Sequence, residues 1–173
     1  MKVLGVGDRA LQGDAAFIEV LESMGCTTRT TDRSLEVTSS GSLHGIEIDM
    51  ADMSDLVPTL AVVAAFADSP TRITGVGFIR HKESDRIGDL VNGLKMVGCD
   101  AVEEDDGILI RPVHESQMHG AELLTHDDHR LAMAWSLLAL RISGIVIDDP
   151  EVVSKSWPEW WDVRSSLLVV AAK

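Results

Sequence analysis

Four short stretches of this sequence concentrate residues that can hold anions or move protons. They are Asp49-Met50-Ala51-Asp52-Met53-Ser54-Asp55 with Pro58 just beyond, Arg80-His81-Lys82-Glu83-Ser84-Asp85-Arg86, His126-Asp127-Asp128-His129-Arg130, and Ser154-Lys155-Ser156-Trp157-Pro158. Arginine and lysine clamp carboxylates and phosphates, arginine in bidentate fashion. Carboxylates serve as general acid and base once their pKa values are tuned apart. Each stretch falls where a strand-like run gives way to a helical one, and a helix N-terminus itself attracts anions. The simpler reading of each is a helix cap. Asp55, Ser84, Asp127 or Asp128, and Ser156 all suit that position, and Pro58 suits a first turn. Caps do not account for the cations. Arg86 and Arg130 fall in first helical turns and Lys155 just ahead of a helix, where a positive charge opposes the dipole unless an anion completes the arrangement.

Other chemistries fit less well. His126-Asp127-Asp128-His129 suggests a metal site, yet adjacent residues at a helix start point in different directions, and the remaining histidines show no ligand spacing; no metal is expected. Trp157, Trp160 and Trp161 could form a stacking platform, but at helical spacing core packing is the expected role. Gly5-Val6-Gly7 lacks the third glycine and the lysine of a phosphate loop. Cys26 and Cys99 each follow a glycine and are expected to be small buried residues just past a helix end, in neither a disulfide nor a zinc site.

The elements that must position these stretches form a repeat. Val3-Leu4-Gly5-Val6-Gly7 recurs as Ile73-Thr74-Gly75-Val76-Gly77. Each is followed by a loop, an amphipathic segment, a Gly-Cys and two short alternating runs, a strand–helix–strand–strand order. The buried stripes are Phe17, Ile18, Leu21, Met24 in the first copy and Ile87, Leu90, Val91, Leu94, Val97 in the second. Asp105-Asp106-Gly107 is a hairpin turn signal. Between the copies lies Ile46-Glu47-Ile48 and a helix over about 55–67, apolar on every side and therefore buried. A third unit opens at Glu122-Leu123-Leu124 and continues with a helix over about 128–141, a strand at Ile145-Val146-Ile147 and a last helix from about Ser156. The expectation is a single α/β (α+β) domain over 1–173, with units at about 1–43, 44–115 and 116–173.

Composition bounds the rest. The 173 residues are 45% hydrophobic and 25% charged, an ordinary globular mix. A formal charge of −13 argues against nucleic-acid binding. No apolar run is long enough to span a bilayer, and the first residues read as a strand rather than a signal peptide, so a cytoplasmic protein is expected.

The four stretches carry a resemblance. Lys82-Glu83-Ser84-Asp85-Arg86 resembles the Lys-Glu-(Ser/Thr)-Asp-Arg signature of the 5-enolpyruvylshikimate-3-phosphate synthase family. Asp128-His129-Arg130-Leu131-Ala132-Met133 is similar to its Asp-His-Arg-x-Ala-Met motif. Asp55, three residues before Pro58 and leading into an alanine-rich helix, resembles its catalytic-aspartate segment. Lys155-Ser156-Trp157-Pro158 resembles its Lys-(Thr/Ser)-(Phe/Trp)-Pro segment, and Gln12-Gly13-Asp14 a further one. All occur in the family's order, across nearly the whole chain.

The resemblance implies an enolpyruvyl-transferase-type domain, half of an inside-out αβ barrel and incomplete, since the family's chain is more than twice as long. It implies transfer of the enolpyruvyl group of phosphoenolpyruvate to the 5-hydroxyl of shikimate 3-phosphate with release of phosphate, without metal or organic cofactor. Asp55 is implied as proton acceptor and Glu83 as proton donor and relay, an assignment that can be exchanged. Lys82 is implied at the phosphoshikimate hydroxyl. Arg86, Arg130 and Lys155 are implied as the grip on phosphoenolpyruvate, with Asp128 and His129 orienting Arg130 and the helix start. An N-terminal domain of the same enzyme is the expected partner, and the chain without it is expected to be inactive. An unpaired sheet edge makes self-association a further expectation. The alternatives are a UDP-N-acetylglucosamine enolpyruvyl transferase and a non-catalytic anion-binding domain.

Overall fold

The computed structural model describes residues 1–7, 13–39 and 41–171. The first unit holds β1 (Lys2–Leu4), α1 (Phe17–Ser23), β2 (Thr27–Thr30) and β3 (Ser34–Thr38). The second holds β4 (Glu47–Asp49), α2 (Val57–Ala64), β5 (Thr71–Thr74), α3 (Arg86–Met96), β6 (Asp100–Glu104) and β7 (Gly107–Arg111). The third holds β8 (Glu122–Leu123), α4 (His129–Leu138), β9 (Val146–Ile147) and α5 (Trp160–Ala171). Gln12 of the Gln12-Gly13-Asp14 segment lies outside the described residues.

Strand order carries the repeat into three dimensions. The first sheet runs β1-β3-β2 and the second β4-β5-β7-β6, so β1-β3-β2 and β5-β7-β6 share one order and one antiparallel pairing. The parallel pair β4–β5 across α2 is matched by β8–β9 across α4. The described sheets remain separate and close no barrel. Both Gly-Cys steps end a helix in the left-handed region, Gly25 at φ +102° and Gly98 at φ +88°, a C-terminal turn that glycine makes without a Cβ penalty. Cys99 is buried but Cys26 only half-buried; both are free thiols, and burial, with the Asp100 charge, pushes the Cys99 thiol up to about 11.

The helices form the centre. α2 buries Val57, Pro58, Leu60, Ala61, Val62 and Ala64, because an all-apolar helix has no face to give to water. α3 turns Ile87, Leu90, Val91 and Leu94 inward, and α4 does so with Leu131, Ala134, Trp135 and Leu138. α2 packs on both α3 and α4, with the β-sheets covering the outside. A smaller cluster of Ala132, Val152 and Val153 covers the outer side of α4. Trp160 and Trp161 pack against it and donate to Ser136 Oγ (3.2 Å) and the Pro150 carbonyl (2.9 Å), so these two rings are packing groups.

Several boundaries differ from the sequence reading. Asp55 is not a cap: it lies inside a 3-10 helix, Ala51–Leu56, and α2 begins beyond it with Leu56 as N-cap. Asp85, not Ser84, caps α3, accepting from the Gly88 amide at 3.1 Å. The last helix starts at Trp160 rather than Ser156, because the chain first makes a 3-10 helix, Pro150–Lys155, that Ser156 closes. Lys155 therefore ends a helical turn, where a cation suits the dipole.

Gly93 gives the tightest test of this packing. A Cβ there would sit 2.6 Å from Cζ2 of the fully buried Trp135 ring. Gly93→Ala gains about 1 kcal/mol of helix propensity but forces an overpacking cost of about 1–3 kcal/mol. The ring is enclosed on all sides, so the clash wins. Urea unfolding is expected to show a net loss of stability; a gain would mean that the α3–α4 contact is looser than described.

Candidate active site

The site forms where three junctions meet: the 3-10 helix before α2, the first turn of α3 and the first turn of α4. Arg86 is the hub. Its side chain is fully buried, and its three nitrogens reach three carboxylates on three segments. Nε donates to Asp128 Oδ2 at 2.7 Å, Nη1 to Asp55 Oδ1 at 2.9 Å and Nη2 to Glu83 Oε2 at 2.6 Å. Burial works against the Arg86 charge, but Asp128, Asp55 and Glu83 outweigh it, and the pKa is raised. A buried guanidinium persists only when it is paired in this way.

Asp55 is the second meeting point. Arg130 holds it twice, through Nη2 to Oδ2 at 2.8 Å and Nη1 to the carbonyl at 3.2 Å. Lys82 Nζ stands 3.5 Å from Oδ1 and 5.9 Å from the exposed Phe78 ring. Burial alone would raise the Asp55 carboxyl. The Arg86 hydrogen bond and the charges of Arg130, Lys82 and Arg86 overcome it and keep the group below its ordinary value.

Asp128 does two jobs with one side chain. Besides pairing with Arg86, its Oδ1 caps α4 by accepting from the Arg130 amide at 2.8 Å. Asp128 thus meets Arg130 through the backbone amide, while its ion partner is Arg86. His129 occupies the first position of α4, and its Nδ1 is buried without a partner, an atom that a bound ligand or water would satisfy. Lys155 reaches the same junction from the other side, its Nζ 3.0 Å from the Asp127 carbonyl and 2.5 Å from Asp127 Oδ1.

Six of the eight sequence candidates are joined by hydrogen bonds and ion pairs, and His129 and Lys155 border that network. Lys82, Glu83, Arg86, Asp128 and Arg130 gather around or beside Asp55. His129 adjoins Arg130, and Lys155 joins through Asp127. The four neighbours in His126-Asp127-Asp128-His129 diverge: His126 faces Asp89, Asp127 faces Lys155, and Asp128 faces Arg86. Sequence reasoning missed the Asp89–His126 contact and the left-handed turn at His126 (φ 50°) and Asp127 (φ 62°). The one available signal was that His and Asp are enriched among non-glycine residues with positive φ.

An α/β chain of repeated strand–helix units with helices packed inward, and with cations and carboxylates converging at its junctions, has the enolpyruvyl-transferase fold. The enolpyruvyl transferase NikO of Streptomyces tendae superposes on 96% of this chain and 38% of its own at a TM-score of 0.75; at 20% identity that match speaks to the fold alone. The sequence profile of EPSP synthase (3-phosphoshikimate 1-carboxyvinyltransferase) matches residues 1–163, and the chain belongs to that family. The EPSP synthase of Acinetobacter baumannii matches it at TM-score 0.83 and 31% identity, over 95% of this chain and 41% of that one. Proteins named 3-phosphoshikimate 1-carboxyvinyltransferase from Methanoculleus marisnigri and Methanosphaerula palustris are 42% and 46% identical over 160 and 158 residues. Those alignments take in 92% and 91% of this chain but 37% and 36% of the relatives.

Two measurements follow from the geometry. Asp128→Ala leaves the buried Arg86 charge short of its one fully buried partner, and removing one member of a buried pair costs about 3–5 kcal/mol. Urea unfolding is expected to show a loss of that order; a loss below about 1 kcal/mol would mean that the pair is open to water. The Asp55 contribution to stability is full above the ordinary carboxylate value of 3.8 and is lost as pH falls through its depressed folded value. Asp55→Asn is therefore expected to flatten the acid limb of a stability–pH curve in that window, and an unchanged limb would contradict the assignment.

Proposed function

We propose that this chain forms part of an enzyme that transfers the enolpyruvyl group from phosphoenolpyruvate to the 5-hydroxyl of shikimate 3-phosphate, releasing phosphate, in the cytoplasmic route to aromatic amino acids. Among the described residues no helix is long and apolar enough to cross a membrane. The chain spans little more than a third of its curated relatives, so the reading includes an N-terminal domain as partner. Within the chain it takes residues 1–173 as one domain of three units. One observation carries the reading: Lys82 and Arg86 from one junction and Arg130 from another converge on the Asp55 carboxylate of a third, with Glu83 on the same guanidinium as Asp55.

The chemistry uses that convergence directly. As the 5-hydroxyl oxygen bonds to the enolic carbon, the hydroxyl loses a proton, which Asp55 accepts. The methylene carbon gains one, which Glu83 supplies; as the C–O bond to phosphate breaks, that carbon returns a proton to Glu83 and the double bond is restored, while the proton taken by Asp55 leaves with the phosphate. Lys82 contacts the hydroxyl region, while Arg86, Arg130 and Lys155 hold phosphoenolpyruvate, with Asp128 and His129 orienting them. A carboxylate held below its ordinary pKa is ionised but weakly basic. An incoming phosphate or carboxylate competes with Asp55 for Arg130 and Lys82. As those cations turn to the ligand, Asp55 becomes a stronger base where the proton must be taken.

A second reading has its own support. Lys82, Arg86 and Arg130 face Asp55, Glu83 and Asp128, so the cluster by itself is electrically balanced. On that ground the chain without its partner domain binds anions weakly and turns nothing over. Calorimetry with phosphoenolpyruvate and shikimate 3-phosphate, singly and together, separates the two states, and a product assay with UDP-N-acetylglucosamine beside shikimate 3-phosphate fixes the acceptor. β1 lies at a sheet edge with Val3 and Leu4 exposed, which supports self-association of the isolated chain. A single monomeric species across a sedimentation concentration series would remove that idea.

In an enzyme carrying both domains, Asp55→Ala and Glu83→Ala are expected to lower kcat by about 10²–10⁴-fold with small changes in KM, the range for a lost general acid or base. Near-normal turnover in either variant takes that residue out of the mechanism. Arg130→Ala and Lys155→Ala are expected to weaken phosphoenolpyruvate binding, and an unchanged Kd would refute the clamp.

A further inference from the structure

His126 and Asp127 are the two non-glycine residues with left-handed backbone among the described residues, and they are adjacent. Left-handed backbone at a non-glycine residue is strained and persists only where its surroundings over-determine it. The turn lies directly before the Asp128 cap. Its N-terminal side is fixed by buried Thr125, whose amide donates to Asp148 Oδ1 at 2.9 Å and whose carbonyl accepts from the Asp128 amide at 2.8 Å. On its C-terminal side Lys155 holds the Asp127 carbonyl and carboxylate. Between these anchors the His126 ring reaches across to α3, with Nε2 3.3 Å from Asp89 Oδ1.

Asp89 is an unusual anchor. Its side chain is 15% exposed, against 43% for His126. Burial raises its pKa; the Ser84 hydroxyl and the His126 ring oppose that, while the Asp85 and Asp128 charges add to it. These are the groups that face it from the α3 cap, the turn and the α4 cap. A carboxylate so placed, between two others and short of water, gains most from a cationic or donor ring. None of the roles assigned to Arg86, Arg130 and Lys155 uses this pair.

We propose that His126 is a positioning residue: by pairing with Asp89 across the α3–α4 junction it holds the left-handed turn that presents Asp127 to Lys155 and Asp128 to Arg86. The pair bridges the two helices whose first turns build the site, and the turn it closes carries one partner of each outer cation. The functional weight of the idea rests on reading Lys155 and Arg86 as anion-binding groups, but the positional claim does not.

The test uses the chain itself, with wild type, His126→Ala, His126→Asn and Asp89→Asn. Two sets of NMR signals report: those of the His126 ring, which lies against Asp89, and those of the Lys155 side-chain end, which lies against Asp127. The indole N–H of Trp135, which donates to the Leu124 carbonyl, serves as a fold control. Asp89→Asn is expected to shift the His126 ring signals, because the carboxylate beside Nε2 becomes a neutral amide. His126→Ala is expected to shift the Lys155 signal with the Trp135 indole unmoved. His126→Asn, which tolerates positive φ and keeps an N–H donor, is expected to leave it in place. Unchanged His126 ring signals in Asp89→Asn together with an intact Lys155 signal in His126→Ala overturn the proposal. Should His126→Ala fail to fold, the His126 ring signals in Asp89→Asn decide alone, because that change alters charge and not backbone. Titration of an enzyme carrying both domains with phosphoenolpyruvate then separates the two claims. If the Lys155 signal depends on His126 yet phosphoenolpyruvate leaves it unmoved, the positional claim stands and the anion-binding reading falls.

Discussion

A guanidinium with no access to water must be paired on every side, and that requirement at Arg86 organises this molecule. Its three nitrogens carry five N–H groups, and the chain brings Asp55, Glu83 and Asp128 to them from three segments. Two of these acceptors have a second duty. Asp128 starts α4, and Asp55 ties down Arg130 and Lys82. Removing Arg86 would thus loosen a helix cap, a junction and two further cations together. The mutual position of α2, α3 and α4 is set by apolar packing of their faces. The orientation of their first turns is set by this one charge.

The repeat makes such convergence inexpensive. Units built on one topology open their strand-to-helix junctions toward the same side, so side chains far apart in sequence meet without special loops. The middle unit shows the whole pattern, and the flanking units show its two parts. A feature that the sequence reading passed over also follows it. His44 and His119 each donate their backbone amide to a carbonyl just past a helix, Met24 and Val97, with the ring lying against Gly25 or Gly98. The matching Leu43-His44-Gly45 and Met118-His119-Gly120 were there to be seen, but two tripeptides some seventy residues apart carry little signal without the topology.

Much was legible because it rests on local rules. Periodicity located α2, α3 and α4 within a few residues, and Asp105-Asp106 turns where a hairpin signal stood. Two of the polar stretches stood out because Arg86 and Arg130 in first turns oppose the dipole, an argument that fails for Lys155, which ends a 3-10 helix. What escaped depends on contacts between units. Asp55 reads as a cap, but it lies in a 3-10 helix, since its carboxylate is drawn to Arg86 and Arg130 rather than to its own backbone. Ser156 reads as a cap, but Pro150 had already started a 3-10 helix, so α5 begins only at Trp160. No spacing rule could pair Asp89 with His126, which lie thirty-seven positions apart on different units.

The balance of charge in the network bears on why it is there. A buried arginine with its carboxylates is poor evidence for stability, since well-packed apolar groups of similar volume often do as well or better. Its cost is justified only by something an apolar core cannot do. On the proposed function, the carboxylates occupy the directions from which a phosphate or a carboxylate ligand would be held. They are partly exposed at Asp55 and Glu83 and wholly buried at Asp128. In that proposal an anion displaces the first two from Arg130, Lys82 and one side of Arg86 while Asp128 keeps the hub fixed. That division lets one guanidinium hold the fold through Nε and leave its outer nitrogens for exchange. It also returns Asp55 and Glu83, freed of their cations, to the proton-transfer work proposed for them.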